Sequence, residues 1–256
     1  MLIVLSPAKR LDFSEPPVAF EPTMPRLTED TASLARTARR QTKADLRRLM
    51  GISDDLARLN RERFQAFDPT ADNGLPAAFA FAGDVYQGLE ARTLDAAGLA
   101  FAQSRLRILS GLYGLLRPLD RIQPYRLEMG TRLKTRRGSS LYDFWGDRLS
   151  KQLNADAVDH DDPTLVNLAS QEYFGAVDAK ALKLPVVTCH FREAKDGESR
   201  IVSFFAKKAR GAMARFAIDE RVAKVADLKA FERDGYRFDK AVSTELDWIF
   251  IRQGIS

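Results

Sequence analysis

Three short apolar runs, each followed directly by small or polar residues, constrain most strongly what this chain can fold into. The runs are residues 2–5, 106–109 and 165–168, and each is only four residues long. Apolar runs of this length, bounded by turn-forming residues, are typical of buried strands. If the three strands lie parallel in one sheet, the residues that follow them meet at one edge, where α and β proteins place their sites.

Helical segments alternate with these strands along the 256 residues. We predict helices over residues 28–40, 42–50, 53–67, 94–103, 141–153, 172–182 and 206–219, a hairpin of residues 185–193 and 200–205 around Asp196 and Gly197, and a closing strand over 246–251. No internal repeat, low-complexity linker or change of composition divides the chain. The predicted fold is therefore α+β, a single compact domain over residues 1–256 with a mixed β-sheet surrounded by helices.

Cysteine content and hydropathy indicate where such a chain works. Cys189 is the only cysteine, so no intramolecular disulfide can form. The first ten residues lack the basic start and long apolar core of a secretory signal, and no stretch approaches the roughly 20 apolar residues of a membrane helix. We therefore expect a cytoplasmic protein without membrane attachment, and the sequence leaves its oligomeric state open.

Signals for metal or cofactor binding are weak. His160 lies among Asp159, Asp161 and Asp162, a cluster that suits a hard cation, but its position just before a strand favours a solvated loop. No Walker, Gly-x-Ser-x-Gly or Gly-x-Gly-x-x-Gly pattern occurs. We expect neither a dedicated metal site nor a cofactor.

Positive charge is concentrated in one segment of the sequence. Residues 104–137 contain nine basic residues, eight of them arginine, against Asp120 and Glu128, so the segment has a net charge of +7 in a chain of net charge +5. The planar guanidinium of arginine matches phosphate oxygens, whereas a merely solvated face could equally use lysine. The segment favours a polyanion as partner, above all DNA. The alternative is a basic surface whose cations pair with acids.

Residues that suit nucleic-acid binding recur near the predicted strand ends and in the helix over 206–219. Glycines let backbone N–H groups approach a phosphate, arginines neutralise it, and tyrosines stack on exposed bases. Lys207 and Lys208 fall in the first turn predicted for that helix, where anions are favoured. The alternatives are that the small residues only close turns and that Tyr113 and Tyr125 pack in the core. The candidate DNA-contacting residues are Lys9, Arg107, Gly111, Tyr113, Gly114, Arg117, Arg121, Arg126, Arg136, Arg137, Lys207, Lys208 and Arg210.

Six motifs resemble the YaaA family of peroxide-stress proteins. They are LSPAK at 5–9, GDVYQGL at 83–89, LSGLYGLLRPLD at 109–120, PYRLEMG at 124–130, VNLASQEYF at 166–174 and AKKARGAMARF at 206–216. The resemblance implies a positively charged cleft, a helix-hairpin-helix-like element, binding to double-stranded DNA and a role in limiting unincorporated iron during peroxide stress. The glycines at 111–114 and the segment 84–103 are the candidate positions for that element.

An enzyme that acts on a nucleotide or nucleobase in the same cleft is the second hypothesis. Its basis is a set of side chains more varied than phosphate binding requires, namely Lys9, Tyr86, Ser110, Asp120, Glu128 and Asn167. Asp120 or Glu128 would serve as general acid or base, unless an arginine partner makes the carboxylate structural. Direct iron binding is a third hypothesis, for which two histidines and one cysteine are a poor ligand supply.

Overall fold

The apolar runs form neighbouring strands of one central sheet. The computed structural model describes residues 1–16, 21–195 and 198–253. Its strands are β1 (Leu2–Leu5), β2 (Leu75–Pro76), β3 (Leu106–Ser110), β4 (Gly114–Leu116), β5 (Arg121–Ile122), β6 (Leu165–Asn167), β7 (Val186–Lys195), β8 (Glu198–Arg200), β9 (Arg237–Phe238) and β10 (Asp247–Gln253). The main sheet has the order β4-β3-β1-β6-β7-β10-β9, with β8 paired to β7, while β2 and β5 form a separate pair.

The direction of the strands confirms the predicted mixed sheet. The central strands β3, β1, β6, β7 and β10 run parallel. The strands β4 and β9 add antiparallel edges, and β8 pairs antiparallel with β7. Parallel strands that are covered on both faces are buried, and accordingly β1 and β3 are buried along their whole length, β1 with apolar residues only.

Helices cover both faces of this sheet. They are α1 (Thr28–Arg39), α2 (Lys43–Met50), α3 (Asp54–Ala66), α4 (Ala77–Ala80), α5 (Asp84–Leu89), α6 (Ala96–Arg105), α7 (Leu141–Trp145), α8 (Arg148–Asp156), α9 (Gln171–Phe174) and α10 (Ser203–Asp219), with 3-10 helices at Ala91–Thr93 and Val225–Ala230. By register, Arg107 of β3 and Thr188 of β7 lie on one face. Arg107 bonds to Asp156 of α8, whereas Cys189, on the other face, lies beside Arg210 of α10. The helices α8 and α10 therefore pack on opposite faces of one compact α+β domain.

The helices α1, α2 and α3 confirm the prediction for residues 28–67. The hydroxyl of Thr42 accepts a hydrogen bond from the Asp45 amide (3.1 Å), and the Asp45 carboxylate accepts one from the Thr42 amide (3.2 Å). Gly51 ends α2 in the left-handed conformation at φ 59°. This capping box and its glycine stop are both visible in the sequence, which explains why the bounds were predictable.

Two predicted helices are shorter than expected. The single helix over 141–153 is wrong because Gly146, at φ 50°, separates α7 from α8. The helix over 172–182 is wrong beyond Phe174. There the side chains of Ser150 and Asn154 donate hydrogen bonds to the carbonyl oxygens of Asp178 and Ala181, and hold the segment as a loop against α8.

The hairpin is confirmed in its first strand and in its antiparallel pairing, since β7 pairs with β8. Its predicted turn, Asp196 and Gly197, lies outside the described residues. The second strand ends at Arg200, and α10 begins at Ser203 rather than at residue 206, because the Ala206 amide donates to the Val202 carbonyl and closes a helical turn there. Lys207 and Lys208 therefore follow the first turn of α10. The prediction that they lie in that first turn, where a helix favours anions, is wrong.

A close crossing of α5 and α10 joins two of the sequence motifs. A Cβ placed on Gly211 would overlap the carbonyl oxygen of Val85 and would lie 2.8 Å from the Leu89 amide nitrogen. A Cβ on Gly88 would overlap the Lys208 carbonyl oxygen and would lie 2.7 Å from the Ala212 amide nitrogen. The backbone of each helix thus packs directly against the glycine of the other. This contact holds the 83–89 segment against α10.

Candidate functional site

The ends of β1, β3 and β6 meet at one edge of the sheet, as the sequence predicts. Leu5 pairs with Ile108, and Val4 pairs with Asn167. The Ser170 amide donates a hydrogen bond to the Ser6 hydroxyl (2.9 Å), which ties the loops after β1 and β6 together. The convergence of these strand ends brings Lys9, Ser110 and Asn167 into one neighbourhood.

Buried tyrosines line this edge. The Tyr86 hydroxyl donates to the Ser6 carbonyl oxygen (3.1 Å), and the hydroxyls of Tyr125 and Ser110 lie 2.6 Å apart. The Tyr113 hydroxyl accepts a hydrogen bond from the Gln123 amide (2.8 Å). Tyr113 and Tyr125 are 4% and 5% exposed, so their ring faces are not open to a base in this conformation. Burial raises the pKa of all three tyrosines, which keeps the hydroxyls protonated at neutral pH.

Glu128 lies between two cations at the outer side of the tyrosines. The Lys9 ammonium is 2.9 Å from one of its oxygens, and the Arg126 guanidinium is 2.9 Å from the other. Lys9 is mostly exposed, whereas the side chains of Arg126 and Glu128 are about one-fifth exposed. The cluster holds two positive charges and one negative charge, so it stays weakly attractive to an anion.

Two candidate catalytic residues have structural partners. Asp120 is 1% exposed, and its carboxylate accepts hydrogen bonds from the Arg117 guanidinium (2.7 Å) and the Thr23 hydroxyl (2.6 Å). The Asn167 side chain accepts a hydrogen bond from the Ala169 amide (3.0 Å). These bonds hold the loops in place, and leave Lys9 and Glu128 as the accessible charged members of the candidate set.

Several predicted DNA-contacting cations pair with acids that are distant in sequence. Arg107 is 3% exposed and bonds to Asp156, Arg121 bonds to Asp72, and Arg210 is largely buried beside Cys189. Lys207 and Lys208 make looser, exposed contacts with Asp84 (3.9 Å) and Asp234 (3.3 Å). Gly111 and Gly114 are buried, and a Cβ on Gly114 would meet the Trp145 ring at 2.6 Å. That these residues contact DNA stays a prediction.

Uncompensated positive charge is found instead between α1 and the loop before α7. We call this the basic surface, and it consists of Arg36, Arg40, Lys134, Arg136 and Arg137 around a depression of about 460 Å³. Within the described parts of the chain, no carboxylate lies within 4.0 Å of the first four of these cations. Arg137 alone is paired, with Asp30, and it stacks over the Phe144 ring at 4.7 Å.

The sequence gives a partial signal for this surface. Arg136 and Arg137 belong to the predicted basic segment, whereas Arg36 and Arg40 lie outside it, in the helix predicted over residues 28–40. Arg36 in α1 and Arg40 just after it are four residues apart in helical backbone, so they lie on the same side together with the hydroxyls of Ser33 and Thr37. That pattern could have been found, but nothing local indicates that residues 134–137 fold against it.

Comparison with known sequences assigns the chain to a family. The sequence profile described as peroxide stress protein YaaA matches residues 1–242. The chain belongs to this family. A UPF0246 protein of Phenylobacterium zucineum (strain HLK1) is 64% identical over 252 residues, covering 98% of this chain and 95% of the relative. A UPF0246 protein of Ruegeria pomeroyi (strain ATCC 700808 / DSM 15171 / DSS-3) is 59% identical over 254 residues, covering 98% of each. Membership in the YaaA family is consistent with a role in the peroxide stress response and confirms the resemblance drawn from the motifs.

The described residues were also searched for membrane-spanning helices and for clusters of metal-binding side chains. None of their helices combines the length and the hydropathy needed to span a bilayer. Nor do they contain a group of three or more His, Cys, Asp or Glu side chains placed to hold a metal ion. The pair of α5 and α6 with the 3-10 turn between them occupies one of the segments considered for a helix-hairpin-helix-like element, whose role stays a prediction.

Cys189 carries the only thiol of the sequence, and its surroundings determine how readily it reacts with peroxide. Cys189 is 1% exposed on β7, and burial raises its pKa to about 12, against a smaller opposite effect of Arg210. Since the thiolate is the nucleophile, we expect native Cys189 to resist alkylation and peroxide oxidation at pH 7 to 9. Mass spectrometry after iodoacetamide should find it unlabelled in the native chain and labelled in guanidinium chloride. Labelling of the native chain at the rate of free cysteine would contradict this burial.

Proposed function

We propose that the chain binds double-stranded DNA, mainly through backbone phosphates, and acts in this way in the peroxide stress response and in limiting unincorporated iron. The observation that supports DNA binding is the basic surface. Among the described residues, its lining includes five cations and the hydroxyls of Ser33 and Thr37, and no Asp or Glu side chain. A concave group of like charges focuses the field of the protein and attracts a polyanion.

The arrangement of the basic surface suits a phosphate backbone. Arg36 lies in the last turn of α1 and Arg40 directly follows the helix, and Lys134 and Arg136 line the same depression. The Arg137 guanidinium is held by Asp30 and the Phe144 ring, so less side-chain entropy is lost when it binds. Phosphate contacts carry no base information, and we therefore propose binding that tolerates changes of sequence.

Other predicted contacts enter the proposal as secondary ones. Lys9, Lys207 and Lys208 make exposed ion pairs, which are typically worth about 0–1 kcal/mol each. Such a lysine can exchange its carboxylate for a phosphate at little cost. Arg117, Arg121 and Arg126 are less exposed and more firmly paired, so they would take part only if bound DNA displaced their acids.

Removal of three arginines tests the proposal. In the variant Arg36→Ala/Arg40→Ala/Arg136→Ala, we expect duplex affinity to fall at least about tenfold near 0.1 M salt, because phosphate neutralisation drives binding. The slope of log K against log salt should become shallower by about 0.9 for each arginine that contacted a phosphate. Fluorescence anisotropy with a labelled duplex over a salt series measures both quantities.

A matched control separates this surface from overall charge. Arg58→Ala/Arg61→Ala/Arg237→Ala removes three exposed arginines elsewhere, with the same change of net charge. Its affinity and salt slope should stay close to those of the unchanged chain. Equal losses in both triple variants would refute the basic surface as the contact, and a wild-type affinity that does not depend on salt would refute phosphate binding altogether.

The enzyme hypothesis has less support at the strand ends. The space enclosed by Lys9, Arg126, Glu128 and the two tyrosines Tyr125 and Tyr173 is about 10 Å³, which holds about one water molecule. A nucleotide substrate would require these loops to move apart. Binding of DNA phosphates to an open surface needs no such movement, and for this reason it is the proposal we favour.

A further inference from the structure

A second concavity lies next to the tyrosine-lined strand ends and is separate from the basic surface. It is lined by residues of three segments, 10–12, 78–83 and 86–92, the last of which runs from α5 into the following 3-10 helix. We call it the 78–92 pocket. Its volume is about 220 Å³, room for roughly seven water molecules at about 30 Å³ each. This is below the roughly 300 Å³ at which pockets for drug-sized ligands begin, so it suits a single small ring system.

The interior of the 78–92 pocket is apolar and partly aromatic. Phe81 and Tyr86 line it at 3% and 7% exposure, and their ring centroids lie 5.4 Å apart. Ala78 and Ala91 are also buried in its lining, and their small side chains leave the space that a larger residue would fill. Aromatic and methyl groups of this kind favour a flat, weakly hydrated ring over a charged or sugar-like group.

The mouth of the pocket carries polar groups of complementary kinds. Gln87 and Glu90 are exposed on α5 and just after it, and Asp12 lies opposite them. The Asp12 carboxylate accepts a hydrogen bond from the Ser14 amide (2.9 Å), which lowers its pKa and keeps it an ionised acceptor. Arg10 is exposed at the same mouth and, within the described ranges, has no acid within 4.0 Å.

We propose that the 78–92 pocket binds the ring of an aminopurine nucleotide of the adenine type. The side-chain amide of Gln87 can both donate and accept, which matches the N6 and N7 edge of adenine. The Asp12 carboxylate lies 3.6 Å from the Arg92 guanidinium and the Glu90 carboxylate lies 4.0 Å from that of Arg215. The oxygen lone pairs that these contacts leave free can accept from an exocyclic amino group, and they would repel a carbonyl oxygen in its place. Arg10 supplies the charge for the attached phosphate. The ring comes from a free mononucleotide or from a nucleic acid, and only the second source depends on the proposed DNA binding.

The first measurement compares two mononucleotides that differ at one group. By isothermal titration calorimetry, we expect AMP to bind at least about tenfold more tightly than IMP, which has a carbonyl oxygen where AMP has the amino group. Gln87→Ala should weaken AMP binding about tenfold, since its side chain is exposed and its removal leaves the fold intact. Ala82→Leu, which fills the pocket, should abolish AMP binding. Gln171→Ala, an exposed glutamine on α9, is the matched control and should bind like the unchanged chain.

The second measurement identifies the source of the ring. The probes are 8-vinyladenosine monophosphate and a duplex that contains one 8-vinyladenine, a fluorescent base that keeps the 6-amino group and N7 of adenine. A fluorescence change with the duplex that disappears in Ala82→Leu assigns the ring to nucleic acid, and a change with the mononucleotide alone assigns it to a free nucleotide. Both results support the pocket.

Three outcomes would overturn the 78–92 pocket as an aminopurine site. They are absence of AMP binding at millimolar concentration, equal affinity for AMP and IMP, and AMP binding that survives in Ala82→Leu while the melting temperature is unchanged. The triple variant of the basic surface separates this inference from the proposed function. It should lose duplex affinity and keep AMP binding, whereas a failed pocket beside intact duplex binding would leave the DNA proposal standing.

Discussion

Gly211→Ala should lower the free energy of unfolding by about 3 kcal/mol, the upper part of the range for overpacked interiors. The added methyl group would overlap the Val85 carbonyl oxygen, and the neighbouring obstacle is the Leu89 amide, so backbone rather than a flexible side chain must move. Alanine is about 1 kcal/mol better than glycine within a helix, and helix propensity alone therefore predicts the opposite sign. Urea unfolding followed by circular dichroism measures the change.

Two further variants sharpen this test. Gly88→Ala should cost a similar amount, since its methyl group would overlap the Lys208 carbonyl oxygen from the other side of the same crossing. The double variant should cost less than the sum, because the first methyl group already separates α5 from α10. Gly130→Ala is the control: the nearest atom to its Cβ is a carboxylate oxygen of Glu172 at 3.3 Å, on a side chain that can move. A stabilised Gly211→Ala would show that the two helices do not touch as described.

The strands and the capped helices could be predicted because their signals are local. The apolar runs at 2–5, 106–109 and 165–168 form β1, β3 and β6, and Thr42, Asp45 and Gly51 set the ends of α2. The errors occurred where tertiary contacts override local preference. Gly146 reads as an ordinary residue within an amphipathic run, yet it takes a positive φ and breaks the helix. The loop after Phe174 is held by side chains of α8, which no local pattern reveals.

The site was harder to predict because charge pairing is a long-range property. Counting residues 104–137 gives a net charge of +7, but Arg107 and Arg121 each find their acid 49 residues away in sequence. An arginine with a buried partner supports the fold and contributes little to the external field. The cations that have no acid within 4.0 Å in the described part of the chain, such as Arg36 and Arg136, come from two segments that meet only after folding. The composition therefore predicts a polyanion as partner, but it does not indicate which cations remain free of acids after folding.

If the basic surface binds DNA as proposed, the residues that stabilise the fold and those that bind the partner lie in different parts of the molecule. The tyrosine-lined strand ends hold the loops through neutral hydrogen bonds, such as that between Tyr86 and Ser6, while the basic surface lies on α1 and the 134–137 loop. Substitutions at the strand ends should therefore act mainly on stability, and substitutions at the basic surface mainly on anion affinity. The ion pair between Arg107, near the start of β3, and Asp156 of α8 is a further place where a substitution should act on stability.

Asp156→Asn should lower the free energy of unfolding by about 3–5 kcal/mol, the usual cost of leaving one charge of a buried pair without its partner. The side chains of Arg107 and Asp156 are 4% and 1% exposed, and Asp156 also bonds to Arg26. Burial lowers the pKa of Arg107, while Asp156 opposes that shift. With asparagine in place, the guanidinium keeps a hydrogen-bond acceptor and loses the opposite charge. Urea unfolding at pH 7 gives the change in free energy.

Two companion variants decide whether the unpaired charge is the cause. Asp54→Asn removes the acid of an exposed pair with Lys43 and should leave the unfolding midpoint unchanged within error. The double variant Arg107→Met/Asp156→Leu removes both charges, and it should recover most of the stability lost in Asp156→Asn, because apolar groups of similar volume need no counter-charge. If the double variant were less stable than Asp156→Asn, the loss would come from the geometry of the bonds to Arg107 rather than from its unpaired charge. Arg26 loses a partner in both, so its contribution cancels in that comparison.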